Sequence, residues 1–341
     1  MAPCHGAGPD RALFAVGNPA PLRLAPSAKN SHLLVLAPLE GITTAVYRRV
    51  VAEMFGGLDG AIAPFIGTIR GLKRYAYHLR DILPEANGQE PLIPQILGAD
   101  AEGVAEVSRA CAGLGYTQVN WNIGCPIPNI TRKKRGSGIL PHPHLIKKVL
   151  SRACREGLPA FSVKLRLGLE EKDEWREVLQ VLNSFDLDFV VLHPRTGRQM
   201  YRGTPDTAAY GAFLGECRHP LLYSGDIRSR EDLRRLAEEY PETAGWLLGR
   251  GYLSRPVLAR EIRSGETLEF CMKDIAAFLG VLSEEFLKNG ADASWVLGKM
   301  KLYFGYLKHG ADDTAAAMEF WGRLRGCTEW PLFEAILAGD L

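Results

Sequence analysis

The sequence predicts a (β/α)8 barrel followed by a small helical domain, on three observations. Eight short apolar runs recur between residues 33 and 249, helix-like segments separate them, and the strand pattern stops after about residue 265. The runs are LLVLA (33–37), GAIAP (60–64), LIPQIL (92–97), TQVNWN (117–122), FSVKLR (161–166), DFVVLH (188–193), PLLYS (220–224) and GWLLG (245–249). Segments between them, such as DAEGVAEVSRACAGLG and SREDLRRLAEEY, repeat apolar residues at three and four and carry charge on the opposite face, as amphipathic helices do. An open doubly wound sheet shares this alternation, but no GxGxxG follows the first run. Residues 268–338 read as three or four helices, including SWVLGKMKLYFGYLKHG and TAAAMEFWGRLRG. The expected division is a flexible Pro/Gly-rich extension over 1–30, the barrel over 31–265 and a helical domain over 266–341.

Composition narrows the class. With 341 residues and 46% hydrophobic content the chain can bury a large core. The net charge of +2 hides an asymmetry, since from residue 266 onward seven basic residues face twelve acidic ones, leaving +7 on the body and −5 on the tail. A basic body is a weak pointer to an anionic partner. Seven cysteines without a CxxC pair fit neither a disulfide framework nor a four-thiolate zinc site, which predicts a reducing compartment. The first 30 residues contain no continuous apolar core of a signal peptide and no membrane-length apolar span, so a cytoplasmic protein is expected. No metal site is expected either: the histidines are scattered, HPH at 142–144 opens a helix, and HExxH is missing.

In this architecture chemistry gathers at the C-terminal ends of the strands. Strand one ends in Pro38, Leu39 and Glu40, strand three carries Gln95, strand four gives Asn122 and then Cys125, and strand five gives Lys164 and Arg166. His193 and Arg195 end strand six, Ser224, Gly225 and Asp226 end strand seven, and Gly249 and Arg250 end strand eight. The last two loops suit a phosphate, because glycines admit close backbone approach and helix N-termini favour anions. Ordinary turns also use Gly and Asp, so it is the pairing of the two loops that points to a ligand. Lys164, between Val163 and Leu165, needs an anionic or electron-rich partner such as a reduced flavin, unless it snorkels to the surface. A lone histidine such as His193 is more often a satisfied core residue, and Cys125 alone reads equally as a small buried hydrophobe.

Six segments in order, LAPLEGITTAVYRRV, NWNIGCPIPNITRKKRGSGIL, VKLRLG, VVLHPRTGRQMYRG, YSGDIRS and LLGRGYLSRP, resemble the tRNA-dihydrouridine synthases over about residues 33–310. The resemblance implies an FMN-dependent barrel with a C-terminal helical domain, acting as a monomer on tRNA. It implies that NADPH reduces FMN, that hydride passes to carbon 6 of a uracil, and that Cys125 protonates carbon 5. It also implies that Pro38, Leu39, Glu40, Gln95, Lys164 and His193 hold the isoalloxazine ring. Ser224, Gly225, Asp226, Gly249 and Arg250 then hold the phosphate end. A thiol of ordinary pKa is mostly protonated at neutral pH and can serve as the acid. Asn122 is expected to orient the uracil carbonyl or a flavin edge. Arg132, Lys133, Lys134 and Arg135 form a contiguous basic run beside the site, read as phosphate contacts rather than a merely solvated face. Arg166, Arg195, Arg198 and Tyr201 are expected with them at the entrance, Tyr201 as a stacking face for an extracted base. The chain departs from the family at Leu39, at Ser224, in GSGIL and at Asn120, which stands where an acid is common. Two other readings remain open: an FMN-dependent reductase of a free pyrimidine or small enone, against which the basic run argues, and a non-catalytic RNA-binding relative, against which Cys125, Lys164 and His193 together argue.

Overall fold

The computed structural model describes residues 21–23, 32–68, 79–88 and 90–339. Eight parallel strands close into a barrel: β1 (Leu34–Leu36), β2 (Gly60–Gly67), β3 (Leu92–Leu97), β4 (Gln118–Ile123), β5 (Ala160–Gly168), β6 (Val190–Thr196), β7 (Leu221–Ser224) and β8 (Gly245–Leu248). Closure is made by β1 against β8, in the register Leu34 to Trp246 and Leu36 to Leu248. Helices between the strands cover the outside, and Trp121, Val163, Leu165 and Leu192 pack beneath them in one buried cluster. Individual helix starts follow from local chemistry. Asp100 caps Ala101–Gly113 through the Gly103 amide, and Ser229 and Asp232 form a capping box for Arg230–Glu239.

Two strands run further than their apolar runs suggest. β2 continues to Gly67 across a register shift between Ile62 and Phe65, where Pro64 interrupts the ladder. β6 continues through Pro194, Arg195 and Thr196, and its burial is complete along its length.

After β8 come the short helices Arg250–Ser254 and Leu258–Ser264 and then four more, Met272–Lys288, Ala293–Leu307, Thr314–Gly326 and Trp330–Ala338. They join the same buried cluster as the barrel's outer layer. Tyr303 stacks on Tyr47 at 5.2 Å, its hydroxyl donates to the Ile42 carbonyl at 2.7 Å, and Lys299 donates to the Gly41 carbonyl at 2.6 Å. Helix Ala293–Leu307 therefore grips the loop that follows β1.

The first 30 residues are not a uniformly loose tail. Leu22 is buried among the inward-facing Val35, Ile62, Ile93, Phe189, Leu222 and Leu247 and so plugs the barrel interior. The Gln118 side chain accepts from the Leu22 amide at 2.8 Å and donates to its carbonyl at 3.0 Å. Residues 1–20 and 24–30 of the expected extension lie outside the described residues, as does residue 31. Among the described residues no helix is long and apolar enough to cross a membrane, and no group of three or more metal-ligating side chains gathers.

Candidate active site

Alternation along a strand sends every second side chain into the barrel. Val191 and Phe189 of β6 face inward with the plug, and the register of Lys164 to Val191 and of Arg166 to His193 puts those side chains in the same interior. The inward set is therefore Gln118, Asn120 and Asn122 on β4, Ser162, Lys164 and Arg166 on β5, and His193 and Arg195 on β6. On these three strands the polar rows rise toward the C-terminal strand ends.

Cys125 follows β4 in a tightly tied turn. Asn122 Oδ1 accepts from the amides of Gly124 at 3.1 Å and Cys125 at 2.9 Å. The Cys125 carbonyl accepts from the Ser137 amide at 2.9 Å and from Ser137 Oγ at 3.2 Å. Gly136, at φ +54°, passes so close that a Cβ there would lie 2.4 Å from the Cys125 carbonyl oxygen. Arg166 Nε donates to the Gly124 carbonyl at 3.0 Å, and its Nη1 donates to the carbonyls of Thr196 at 2.9 Å and Met200 at 2.7 Å. Burial pushes the Cys125 thiol up, only partly opposed by the Ile127 amide and the Arg166 charge, so it is protonated at neutral pH.

The turn opens on a cavity of about 470 Å³ lined by Cys125, Lys164, His193, Tyr201, Arg250 and Tyr306 among others. A recess of about 60 Å³ shares Lys164, His193, Tyr201 and Arg250 with it and continues past Ser224, Gly225 and Gly249. Burial, with the neighbouring Arg166 charge, lowers Lys164 to about 7. Its ammonium makes no hydrogen bond or ion pair with a described residue. Burial and the charges of Arg166, Lys164, Arg195 and Arg250 hold His193 well below its ordinary value, so the imidazole is neutral. Arg195 Nη1, which can only donate, lies 3.1 Å from His193 Nε2 and fixes that nitrogen as the acceptor. A separate cavity of about 320 Å³ lies between helix Ala45–Met54 and the starts of β2 and β3, away from all these groups.

Several expected site residues take other positions. Arg195 does not reach the entrance: it is fully buried and grips both carboxylate oxygens of Asp226, at 3.1 and 2.7 Å. Asp226 in turn pairs with Arg250 at 2.8 Å. Burial pushes its carboxyl up, but the Arg195 bonds and the charges of Arg195, Arg250 and Arg228 outweigh that and hold it below its usual range. Arg166 is likewise buried and committed to carbonyls of its own chain. Gln95 lies outside the residues lining the cavity and is bonded to Asn122 at 2.9 Å and Asn120 at 2.8 Å. Asn122 reaches the cavity wall, with its oxygen committed to the turn and one Nδ2–H to Gln95. Gly225 has a packing reason of its own, since a Cβ there would meet the Tyr223 hydroxyl at 2.3 Å.

Pro38, Leu39 and Glu40 border the cavity in the β1 loop, with Glu40 exposed at the rim. Arg132, Lys133 and Lys134 are exposed and Arg135 half-buried on the loop after Cys125, and none of the four is paired with an acid among the described residues. Arg198 is exposed and paired with Glu170. Tyr201 is exposed at the mouth, with the Arg250 guanidinium 4.4 Å from its ring centre. Sequence reasoning missed Gly136 and Ser137 as supports of Cys125, and also Tyr306, which helix Ala293–Leu307 inserts into the cavity wall. Tyr306 was readable only as part of an aromatic, basic helix.

Fold and site define a (β/α)8-barrel enzyme whose cavity has the size of an organic cofactor or substrate. Residues 35–309 match the family model described as dihydrouridine synthase (Dus), and the chain belongs to that family. It is 30% identical over 236 residues to the probable tRNA-dihydrouridine synthase 2 of Bacillus subtilis (strain 168), covering 65% of this chain and 69% of that one. It is 25% identical to the tRNA-dihydrouridine(16) synthase of Neisseria meningitidis serogroup B (strain ATCC BAA-335 / MC58), covering 87% and 91% of the two chains. Among solved structures, histamine dehydrogenase from Rhizobium sp. 4-9 shares the fold at a TM-score of 0.54 and 10% identity, over 79% of this chain and 51% of that one. This chain thus spans about half the length of that structure.

Proposed function

We propose that the protein reduces uridine in tRNA to 5,6-dihydrouridine, with FMN as its flavin, NADPH as the reductant and Cys125 as the proton donor. The observation that carries the reading is a protonated thiol on a firmly tied turn, facing a 470 Å³ cavity that Lys164 also lines with no hydrogen-bond or ion-pair partner among the described residues. The residues present suit FMN. The cavity lies in the size range of cofactor sites, Lys164 lacks among the described residues the electron-rich partner that its desolvation calls for, and the recess beside Ser224, Gly249 and Arg250 offers a phosphate end. Bound there, FMN would supply the hydride for carbon 6 of the uracil.

The protein's own groups account for the rest of the reaction. Lys164 offsets negative charge at the ring, and neutral His193 lines the cavity without adding a further positive charge. Cys125 Sγ gives its proton to carbon 5 as enolate-like charge develops, so that one hydride and one proton complete the two-electron reduction. The C-terminal helices and the basic loop support tRNA contact. The run Arg132–Arg135 carries four cations unpaired with any acid among the described residues, and Tyr201 and Tyr306 offer faces for a base drawn out of its stack.

The test is Cys125→Ala in the purified protein. It should keep a flavin spectrum and oxidise NADPH yet form no dihydrouridine, whereas an undiminished product yield reassigns the proton donor. A colourless wild-type protein that takes up no FMN defeats the cofactor assignment. Mapping dihydrouridine in tRNA from cells lacking the protein identifies the position reduced.

A further inference from the structure

Directly beneath the Cys125 turn, four buried polar side chains from three strands form one continuous row. Strand register sets Gln95 of β3, Asn120 of β4 and Ser162 of β5 side by side, and Asn122 lies two residues further along β4 on the same face. Asn122 Nδ2 donates to Gln95 Oε1 at 2.9 Å, Gln95 Nε2 to Asn120 Oδ1 at 2.8 Å, Asn120 Nδ2 to Ser162 Oγ at 2.9 Å, and Ser162 Oγ to the Val119 carbonyl at 3.0 Å.

The direction of this row is not a free choice. At one end the amides of Gly124 and Cys125 can only donate, so the Asn122 oxygen must face them and its nitrogen must face Gln95. At the other end the Val119 carbonyl can only accept, so the Ser162 proton points to it and the hydroxyl oxygen is left to accept from Asn120. Every amide between has one orientation that satisfies both neighbours. Gln95, Asn120 and Ser162 are almost entirely inaccessible to solvent, so an amide turned the wrong way has no water to rescue it.

We propose that Asn120 and Ser162 are positioning residues for Cys125, acting through Gln95 and Asn122 to hold the turn that presents the thiol. The inference rests on the proton-donor role given to Cys125 above. It also explains why Asn120 can stand where an acid is common in the family: what the row requires at that position is an oxygen that accepts from Gln95.

The experiment measures two half-reactions in the FMN-loaded protein, NADPH-dependent flavin reduction and dihydrouridine formation over a range of tRNA concentrations. Asn120→Leu should lower kcat for dihydrouridine formation by about 10- to 100-fold, in line with a displacement of the reacting group by up to an ångström. KM for tRNA and the rate of flavin reduction should stay within about threefold, the separation expected when a group acting only in the second half-reaction is displaced. Asn120→Asp restores an acceptor for Gln95 and, with the Ser162 hydroxyl turned to donate, should recover most of the lost rate. Ser162→Ala should lower kcat by a smaller factor through the same half-reaction. The inference is overturned if Asn120→Leu leaves kcat unchanged, or if its loss appears in KM, flavin content or flavin reduction. Should Asn120→Leu fail to fold, an unchanged kcat in Ser162→Ala overturns it equally. A wild-type protein that forms no dihydrouridine fails the proposed function itself, before any variant is compared.

Discussion

Gly136→Ala should disable the protein at one point while leaving the fold in place. Gly136 sits at φ +54°, and an added Cβ would lie 2.4 Å from the carbonyl oxygen and 2.9 Å from the Cβ of Cys125. Ordinary contact begins at 3.4 Å, so the Cys125 backbone has to withdraw by about 1 Å. That carbonyl is also the acceptor for the Ser137 amide and hydroxyl, so withdrawal strains both bonds. A displacement of this size at a reacting group costs about 100-fold in rate. Left-handed backbone adds about 1–2 kcal/mol of strain for an alanine, which by itself says nothing about catalysis. Gly157 supplies the control, since it has φ +82° and no atom within 4 Å of an added Cβ. Gly157→Ala carries the same kind of backbone strain without the collision. Single-turnover dihydrouridine formation should therefore fall about 100-fold in Gly136→Ala and stay within about twofold in Gly157→Ala, with thermal unfolding showing both variants folded. Equal activity in the two variants would refute the claim that close backbone approach at Gly136 places the thiol.

Three further outcomes follow from the same geometry. Lys164 titrates at about 7 in the empty protein, so it is neutral above that pH and must take up a proton to meet an electron-rich ring. FMN affinity, read by fluorescence titration, should be flat below pH 7 and weaken by up to about tenfold per unit above it, and Lys164→Met should abolish this slope. Leu22→Asp places a carboxylate in the barrel interior close to Asp188, whose own carboxyl burial already pushes up, and should destabilise the protein by about 3 kcal/mol or more. An unchanged melting temperature would mean that Leu22 does not plug the barrel. Replacing Arg132, Lys133, Lys134 and Arg135 by glutamine should flatten the dependence of log tRNA affinity on log salt by up to about 3 units, as counterion release at four phosphates predicts. An unchanged slope removes the run from the interface.

The barrel was legible because eight short, mostly apolar runs recur between amphipathic segments, and strands such as β3 and β4, buried along their whole length, have few other ways to be covered. Of the two strands that outran their apolar runs, β2 did so past Pro64, and β6 did so where the inside of the barrel is polar. The run DFVVLH stops at His193 by hydropathy, yet β6 continues through Pro194 to Thr196, because Arg195 is satisfied by Asp226 from the next strand end rather than by water. The same long-range pairing explains why Arg195 was read as an entrance residue. A sequence shows an arginine after a strand, and its partner 31 residues away decides whether it is surface or core. Leu22 was invisible for a related reason: the Pro/Gly-rich composition around it describes the unfolded chain, while its burial depends on Gln118, 96 residues later. Cys125 was legible because the Gly-Cys-Pro turn follows directly from β4, whereas Gly136 and Ser137, which hold it, carry no local mark of that task.

Charge pairing around the cavity ties these observations to a ligand. Burial, together with the charges of Arg166, Lys164, Arg195 and Arg250, holds His193 neutral. Arg166 is spent on the carbonyls of Gly124, Thr196 and Met200, and Arg195 and Arg250 divide Asp226 between them. That leaves Lys164 as the cation of this set without a partner among the described residues, on the strand that faces the Cys125 turn in the register Asn122 to Lys164. A protein with nothing to bind there would gain by replacing that lysine with an apolar residue, because its ammonium pays a desolvation penalty large enough to bring it to about 7. The penalty is tolerable if the bound state supplies negative or electron-rich character within reach of Nζ. The same ligand then lies against the thiol that burial keeps protonated, so a group accepting charge stabilisation from one side can be met by a proton from the other.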